Sequence, residues 1–67
     1  MRLENTLKQE RERLELTQAA LAEKIGVSRK TINTIENNVF CPSTILALKL
    51  AAALDRKVED LFQLREL

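Results

Sequence analysis

Gly26 is the only glycine in the chain, and it falls between two stretches whose apolar residues recur at helical spacing. The segment 18–37 reads QAALAEKIGVSRKTINTIEN. Leu21, Ala22 and Ile25 lie before the glycine; Val27, Ile32 and Ile35 lie after it. A residue without Cβ at this point lets the backbone take a positive φ and turn sharply. Ala22 is small where two helices would cross. Ser28 stands where the second helix needs an N-cap. The spacing predicts two short helices meeting at one tight turn.

Such a pair forms the helix-turn-helix pattern, whose second helix enters the major groove of DNA. Read so, the segment points to DNA binding; read otherwise, it is a purely structural helix pair. Net charge is only +1, low for a DNA-binding domain. The distribution matters more than the sum. Lys24, Arg29 and Lys30 lie in or beside the motif, with Lys8, Arg11 and Arg13 on the first helix. Acidic residues collect elsewhere, at Glu10, Glu12, Asp55, Glu59, Asp60 and Glu66. A weakly polarised surface of this kind implies modest non-specific affinity.

The chain has 67 residues, the length of one domain spanning 1–67. A domain this short buries only about 60 % of its unfolded surface. Cys41 is its single cysteine, so no disulfide compensates, and a partner subunit is a natural supplement. A lone thiol fits a reducing cytosol; beside Pro42, Cys41 reads as a small half-buried residue. No apolar run approaches the ~18 residues of a membrane span. The segment MRLENTLKQERER is charged and lacks the apolar stretch of a signal peptide. A cytoplasmic protein without membrane contact is expected. Histidine is absent. One cysteine cannot build a metal site, no Ser-His-Asp or Cys-His set is possible, and no glycine-rich phosphate loop occurs. Neither catalysis nor a cofactor is expected.

Helical composition runs throughout, and caps divide it into five helices. Asn5 or Thr6 opens the first, to about Leu14. Thr17 opens the second, to about Ile25. Ser28 opens the third, to about Asn37. Residues 38–42 form a loop, and Ser43 opens a fourth helix to about Leu54, whose apolar stripe is wider than one core face needs. A short fifth covers about Val58–Phe62. At the ends, Met1–Leu3 and Gln63–Leu67 alternate apolar and polar residues. They fit either a small antiparallel pairing of the termini or a disordered tail.

With Leu16–Gln18, Leu21, Ala22, Ile25–Ser28, Thr31, Ile32, Ile35–Asn37, Pro42, Ser43, Leu61 and Phe62 in place, the chain resembles the lambda-repressor and Cro type of helix-turn-helix domain, the Xre family. The resemblance covers about Leu7–Phe62 and is greatest to the compact cytolysin-repressor type, which dimerises and carries small terminal strands. It implies an all-α five-helix core and a two-fold dimer on palindromic operator DNA. Three positions depart from the family, which often has glycine where this chain has Glu15, Asn38 and Asp55. Asn and Asp accept left-handed backbone, whereas Glu15 carries strain of roughly 1 kcal/mol. Val39, Phe40 and Cys41 stand where relatives often place Lys or Arg, which weakens the expected phosphate grip.

On the third helix Ile32 and Ile35 define the inward side. Lys30, Asn33, Thr34 and Asn37 point away from it, and Arg29 sits at the exposed N-terminal end. Asn pairs with adenine, and Arg or Lys with guanine; a Thr methyl packs on thymine. Arg29, Lys30, Asn33 and Thr34 are thus candidates for base contacts. The bland alternative is a solvated helix face. The resemblance gives Gln18 a phosphate contact, the alternative being helix N-terminal polarity. Thr17, Ser28, Thr31, Asn37, Asn38 and Ser43 join it as candidates for phosphate contacts. Glu36 lies at the edge of the buried side, and similar proteins place its ion-pair partner at Arg11. Leu54, Leu61, Leu64 and Leu67 exceed core needs and are expected at a dimer interface. The function implied is a dimeric, sequence-specific transcriptional repressor. The alternatives are an antitoxin that also binds its own operator, and a protein–protein adaptor on the same fold.

Overall fold

A computed structural model describes residues 1–66; Leu67, one of the four leucines expected at a dimer interface, lies outside them. The elements run β1 (Arg2–Asn5), α1 (Leu7–Arg13), α2 (Gln18–Ile25), α3 (Arg29–Glu36), α4 (Thr44–Leu54), α5 (Val58–Leu61) and β2 (Phe62–Arg65). Hydroxyl caps start three of the helices. Thr17 accepts from the backbone N–H of Ala20, Ser28 from that of Thr31, and Ser43 from that of Leu46. Each satisfies one N–H that the helix start leaves without an internal partner. The start of α1 differs. Thr6 occupies the cap position without a capping side-chain bond, and Asn5 instead accepts from the N–H of Leu7.

Helices α1 to α4 end in one way. Glu15, Gly26, Asn38 and Asp55 take φ values of 57°, 77°, 59° and 54°. The residue after each donates its N–H back five positions: Leu16 to Arg11, Val27 to Ala22, Val39 to Thr34 and Arg56 to Ala51. This left-handed closure satisfies carbonyls that the helix end would orphan. Only one of the four positions is glycine. A Cβ at Gly26 would meet nothing within 4 Å, so the requirement there is conformational alone. Asn38 and Asp55 are tolerated in this region. Glu15 has no such allowance, and Glu15→Gly is expected to raise stability by up to about 1 kcal/mol, net of the extra unfolded-state freedom of glycine. For a chain of this size that is a rise of about 4–8 °C in Tm. A melting temperature unchanged or lowered would show that no strain resides there.

The terminal segments pair rather than fray. β1 and β2 form a two-stranded antiparallel sheet with Arg2 opposite Arg65, Leu3 opposite Leu64, Glu4 opposite Gln63 and Asn5 opposite Phe62. The pairing starts where Thr6 donates its N–H to Leu61 O at 2.9 Å and its hydroxyl to Asp60 O at 2.8 Å. The strands therefore begin closer to the helices than the alternation of Met1–Leu3 and Gln63–Leu67 suggests. Glu4 holds both arginines of the sheet, Arg2 at 2.7 Å and Arg65 at 2.9 Å. Glu10 on α1 accepts from Arg13 and from Arg56. The hydrogen bond from Arg13 above all, and then the charge of Arg56, hold its carboxyl below the ordinary carboxylate range.

Leu7, Leu21, Ala22, Ile25, Ile32, Ile35, Leu50, Ala51, Leu54 and Leu61 form the core, with Leu16, Val27, Leu46, Val58 and Phe62 packed against it. Two of the leucines expected at a dimer interface are corrected here. Leu54 and Leu61 are both 0 % exposed, because the ends of α4 and α5 turn them into the protomer's own core. Leu64, on β2, is 67 % exposed. Further exposed apolar surface lies on the outer face of α4, where Ile45 is 70 % and Leu48 57 % exposed. Cys41 is exposed rather than half-buried. Among the described residues no helix is long and apolar enough to cross a membrane.

Candidate nucleic-acid interface

Helix α3 is the most sharply two-sided element of the chain. Ile32 and Ile35 are buried against α1 and α2, and Arg29, Lys30 and Asn33 are exposed. Thr31 and Thr34 are half-buried at the flanks. The inward apolar pair, three residues apart, fixes the rotation of the helix about its axis. Neither Arg29 nor Lys30 is drawn into an ion pair among the described residues. The Thr34 hydroxyl donates to Thr31 O, which leaves its methyl and the acceptor side of its oxygen for contact. Lys30, Thr31, Thr34, Val39 and Phe40 line a shallow groove along one side of the helix.

The inner end of α3 is anchored by charge. Arg11 Nε donates to Glu36 Oε2 at 2.7 Å, and Arg11 Nη2 to Glu36 Oε1 at 3.3 Å. Their side chains are only 10 % and 4 % exposed. The third direction of the guanidinium is filled by Leu16 O at 2.7 Å. That carbonyl is aimed by the left-handed turn at Glu15. The hydrogen bond to Glu36 holds the Arg11 guanidinium above its ordinary value against the opposing effect of burial. A two-pronged, charge-assisted contact of this kind fixes geometry well.

From Glu36 a chain of carboxamides leads outward. Gln18 Nε2 donates to Glu36 Oε1 at 3.1 Å. Asn33 Nδ2 donates to Gln18 Oε1 at 3.4 Å. Asn37 Nδ2 donates to Asn33 O at 2.9 Å and to Asn33 Oδ1 at 3.2 Å. The structure thus gathers Gln18, Asn33, Asn37, Glu36 and Arg11 into one network. Thr17, Ser28 and Ser43 are exposed helix caps, as above, and Ser28 also shares a hydrogen bond with Thr31 at 3.0 Å. Thr17 opens α2, Ser28 opens α3 and Ser43 opens α4.

Asn38 is not isolated in its loop. Asn5 Nδ2 donates to Asn38 Oδ1 at 2.8 Å and to Ile35 O at 3.0 Å, tying β1 to the end of α3. Nothing local marks Asn5 for this task, since the contact spans thirty residues or more. The Asn33 and Asn37 pair is different: four residues apart on a helix, such side chains are neighbours, and the spacing alone could have revealed them.

Residues 7–61 match the helix-turn-helix family. An uncharacterized HTH-type transcriptional regulator of Bacillus subtilis, YgzD, is 41 % identical over 64 residues, covering 96 % of this chain and 97 % of its own. One from Methanothermobacter thermautotrophicus is 46 % identical over 61 residues, 90 % of this chain and 88 % of its own. Among solved structures, a putative DNA-binding protein from Bacteroides fragilis superposes with a TM-score of 0.82 at 28 % identity, over 91 % of this chain and 98 % of the other. The restriction-modification controller protein C.AhdI from Aeromonas hydrophila gives 0.75 at 31 % identity, over 81 % and 78 %. With its glycine turn, its capped second helix and its anchoring ion pair, the chain belongs to the helix-turn-helix family of Xre type.

Proposed function

We propose that the protein is a sequence-specific DNA-binding transcriptional regulator, a dimeric repressor that inserts α3 into the major groove. The observation that carries this reading is the outer face of α3. It presents Arg29, Lys30 and Asn33, held at fixed rotation by Ile32 and Ile35 beneath. Arg and Lys suit guanine, Asn suits adenine, and the Thr34 methyl suits thymine. Gln18, Thr17, Ser28, Thr31, Asn37, Asn38 and Ser43 position the helix by contacts to the phosphate backbone, which carry no base identity. The protein works in the cytoplasm, without a cofactor.

The partner is double-stranded DNA with two related half-sites. A second copy of the chain, packed through Leu64 and the exposed Ile45 and Leu48 of α4, sets two recognition helices about 34 Å apart, one turn of DNA. The net charge of only +1 is consistent with modest non-specific affinity and with specificity resting on base contacts.

Binding of wild type and Asn33→Ala to a randomised operator library at two salt concentrations tests the reading. Asn33→Ala is expected to cost about 1–3 kcal/mol on the preferred site and to relax preference at one base pair. Should the variant bind every sequence as the wild type does, α3 is not the reading element. A protein–protein adaptor then becomes the better reading. One observation already favours it as the second choice: Val39 and Phe40, beside α3, are 77 % and 47 % exposed.

A further inference from the structure

The carboxamide chain ending on α3 has a direction, and Glu36 imposes it. A carboxylate only accepts hydrogen bonds. Glu36 is nearly sealed from solvent and gripped by Arg11 on both oxygens, so whatever else faces it must donate. Gln18 therefore turns its Nε2 inward, and this sends Oε1 outward toward α3. An outward acceptor requires a donor opposite. Asn33 supplies Nδ2, and its Oδ1 consequently lies on the side of Asn37, whose Nδ2 meets it. Flipping either amide by half a turn would set donor against donor or acceptor against acceptor. The buried ion pair thereby fixes the orientation of a side chain on the exposed face.

Asn33 offers two N–H groups and two acceptor sites. Gln18 uses one N–H and Asn37 one acceptor site. One of each remains, and a donor with an acceptor is what adenine matches in the major groove, through N7 and the N6 amino group. An unconstrained asparagine would have to be ordered by the DNA itself, at a cost in side-chain freedom. Here that ordering precedes binding.

We infer that Gln18 and Glu36 are positioning residues that give Asn33 its preference for adenine, relaying the acceptor-only character of the Glu36 carboxylate to the base-reading face. The inference rests on α3 being the reading helix. It gives Gln18 a role beyond a phosphate contact: one Nε2 proton faces Glu36, and the other is left for a phosphate oxygen. A phosphate contact alone would affect all sequences alike. The relay affects one base pair.

The test combines side-chain amide NMR of the free protein with selection from a randomised operator library, on wild type, Asn33→Ala and Gln18→Met. Methionine keeps the length and helix preference of glutamine and makes no comparable hydrogen bond. In the free wild type, a through-bond coupling from Gln18 Nε2 to the Glu36 carboxyl carbon is expected, with the Asn33 amide protons displaced from free-amide positions. In the library, Asn33→Ala identifies the base pair at which wild type prefers adenine, by about 5- to 150-fold. Gln18→Met is expected to lose most of that preference at the same base pair and to keep the preferences elsewhere. If Gln18→Met weakens every sequence equally and leaves the adenine preference intact, the relay is overturned and Gln18 holds only phosphate. Free-amide resonances for Gln18 and Asn33 in wild type overturn it without any variant. If Asn33→Ala changes no base preference although the coupling is present, what fails is the assignment of α3 as reader, and with it the relay's effect on specificity.

Discussion

Arg11→Ala is expected to destabilise the protein by about 3–5 kcal/mol, the cost of leaving a buried charge without its partner. Glu36 would keep only Gln18 as a donor, in a site where its side chain is 4 % exposed. Glu36→Ala should cost a similar amount, because Arg11 would retain only Leu16 O. A chain of this length has roughly 3–10 kcal/mol of stability in total, so either variant comes close to unfolding at ordinary temperature. The double variant removes both charges and should recover part of the loss. Denaturant melts of the four proteins check this. Strictly additive losses would mean that the two side chains do not act as a pair. The net worth of the pair against two well-packed apolar residues is small, since both charges lose their water. Its value is placement: it ties α1 to the last turn of α3, and the turn after α1 supplies the carbonyl that completes it. Orientation of α3 thus depends on a contact between residues 25 positions apart.

That contact was legible in the sequence only through resemblance, and the contrast with the helices is instructive. Gly26, Thr17, Ser28 and Ser43 announce turns and helix starts by their own chemistry, within a few residues. The helix spans follow from them to within a residue or so at each start. Glu15, Asn38 and Asp55 are recognisable as left-handed positions because they stand where relatives carry glycine, and all three have positive φ. The terminal strands were one of two open readings. Four-residue strands with charges on one face carry little pattern, and what decides between pairing and fraying is Thr6, which anchors the pair from the other end of the chain through Leu61 and Asp60. The amide network was not legible at all beyond Asn33 and Asn37. Nothing near Gln18 says that its carboxamide bridges Glu36 and Asn33, because that geometry exists only once α2 and α3 have crossed. Surplus leucine was also misleading. A stripe such as ILALKLAAAL on α4 does not declare which of its sides faces inward, and counting apolar residues near the C-terminus assigned to a partner two side chains that the protomer itself needs.

Leu61→Ala separates the two uses of those leucines. Leu61 is 0 % exposed, on a helix of four residues, and its carbonyl takes the Thr6 N–H that opens the terminal sheet. Truncation is expected to cost about 2–5 kcal/mol, the transfer free energy of the lost methyl groups plus that of the cavity left behind. The loss should be independent of protein concentration, because the contacts removed lie within one protomer. Leu64→Ala should behave in the opposite way. Its side chain is 67 % exposed, so the stability of the isolated protomer should change by no more than about 0.5 kcal/mol. If Leu64 meets a second copy, the same change should weaken self-association, seen in sedimentation at micromolar concentration as a shift toward the monomer. Thermal melts over a hundredfold range of concentration, read beside sedimentation, distinguish the two. A Leu61→Ala protein whose melting temperature returns to the wild-type value at high concentration would put this residue at the subunit contact after all. A Leu64→Ala protein that associates as the wild type does would remove β2 from that contact and leave Ile45 and Leu48 of α4 to carry it. Such a dimer would keep the sheet free and bring its two-fold axis to the α4 side of the protomer. The spacing of the half-sites on DNA would then follow from α4 alone.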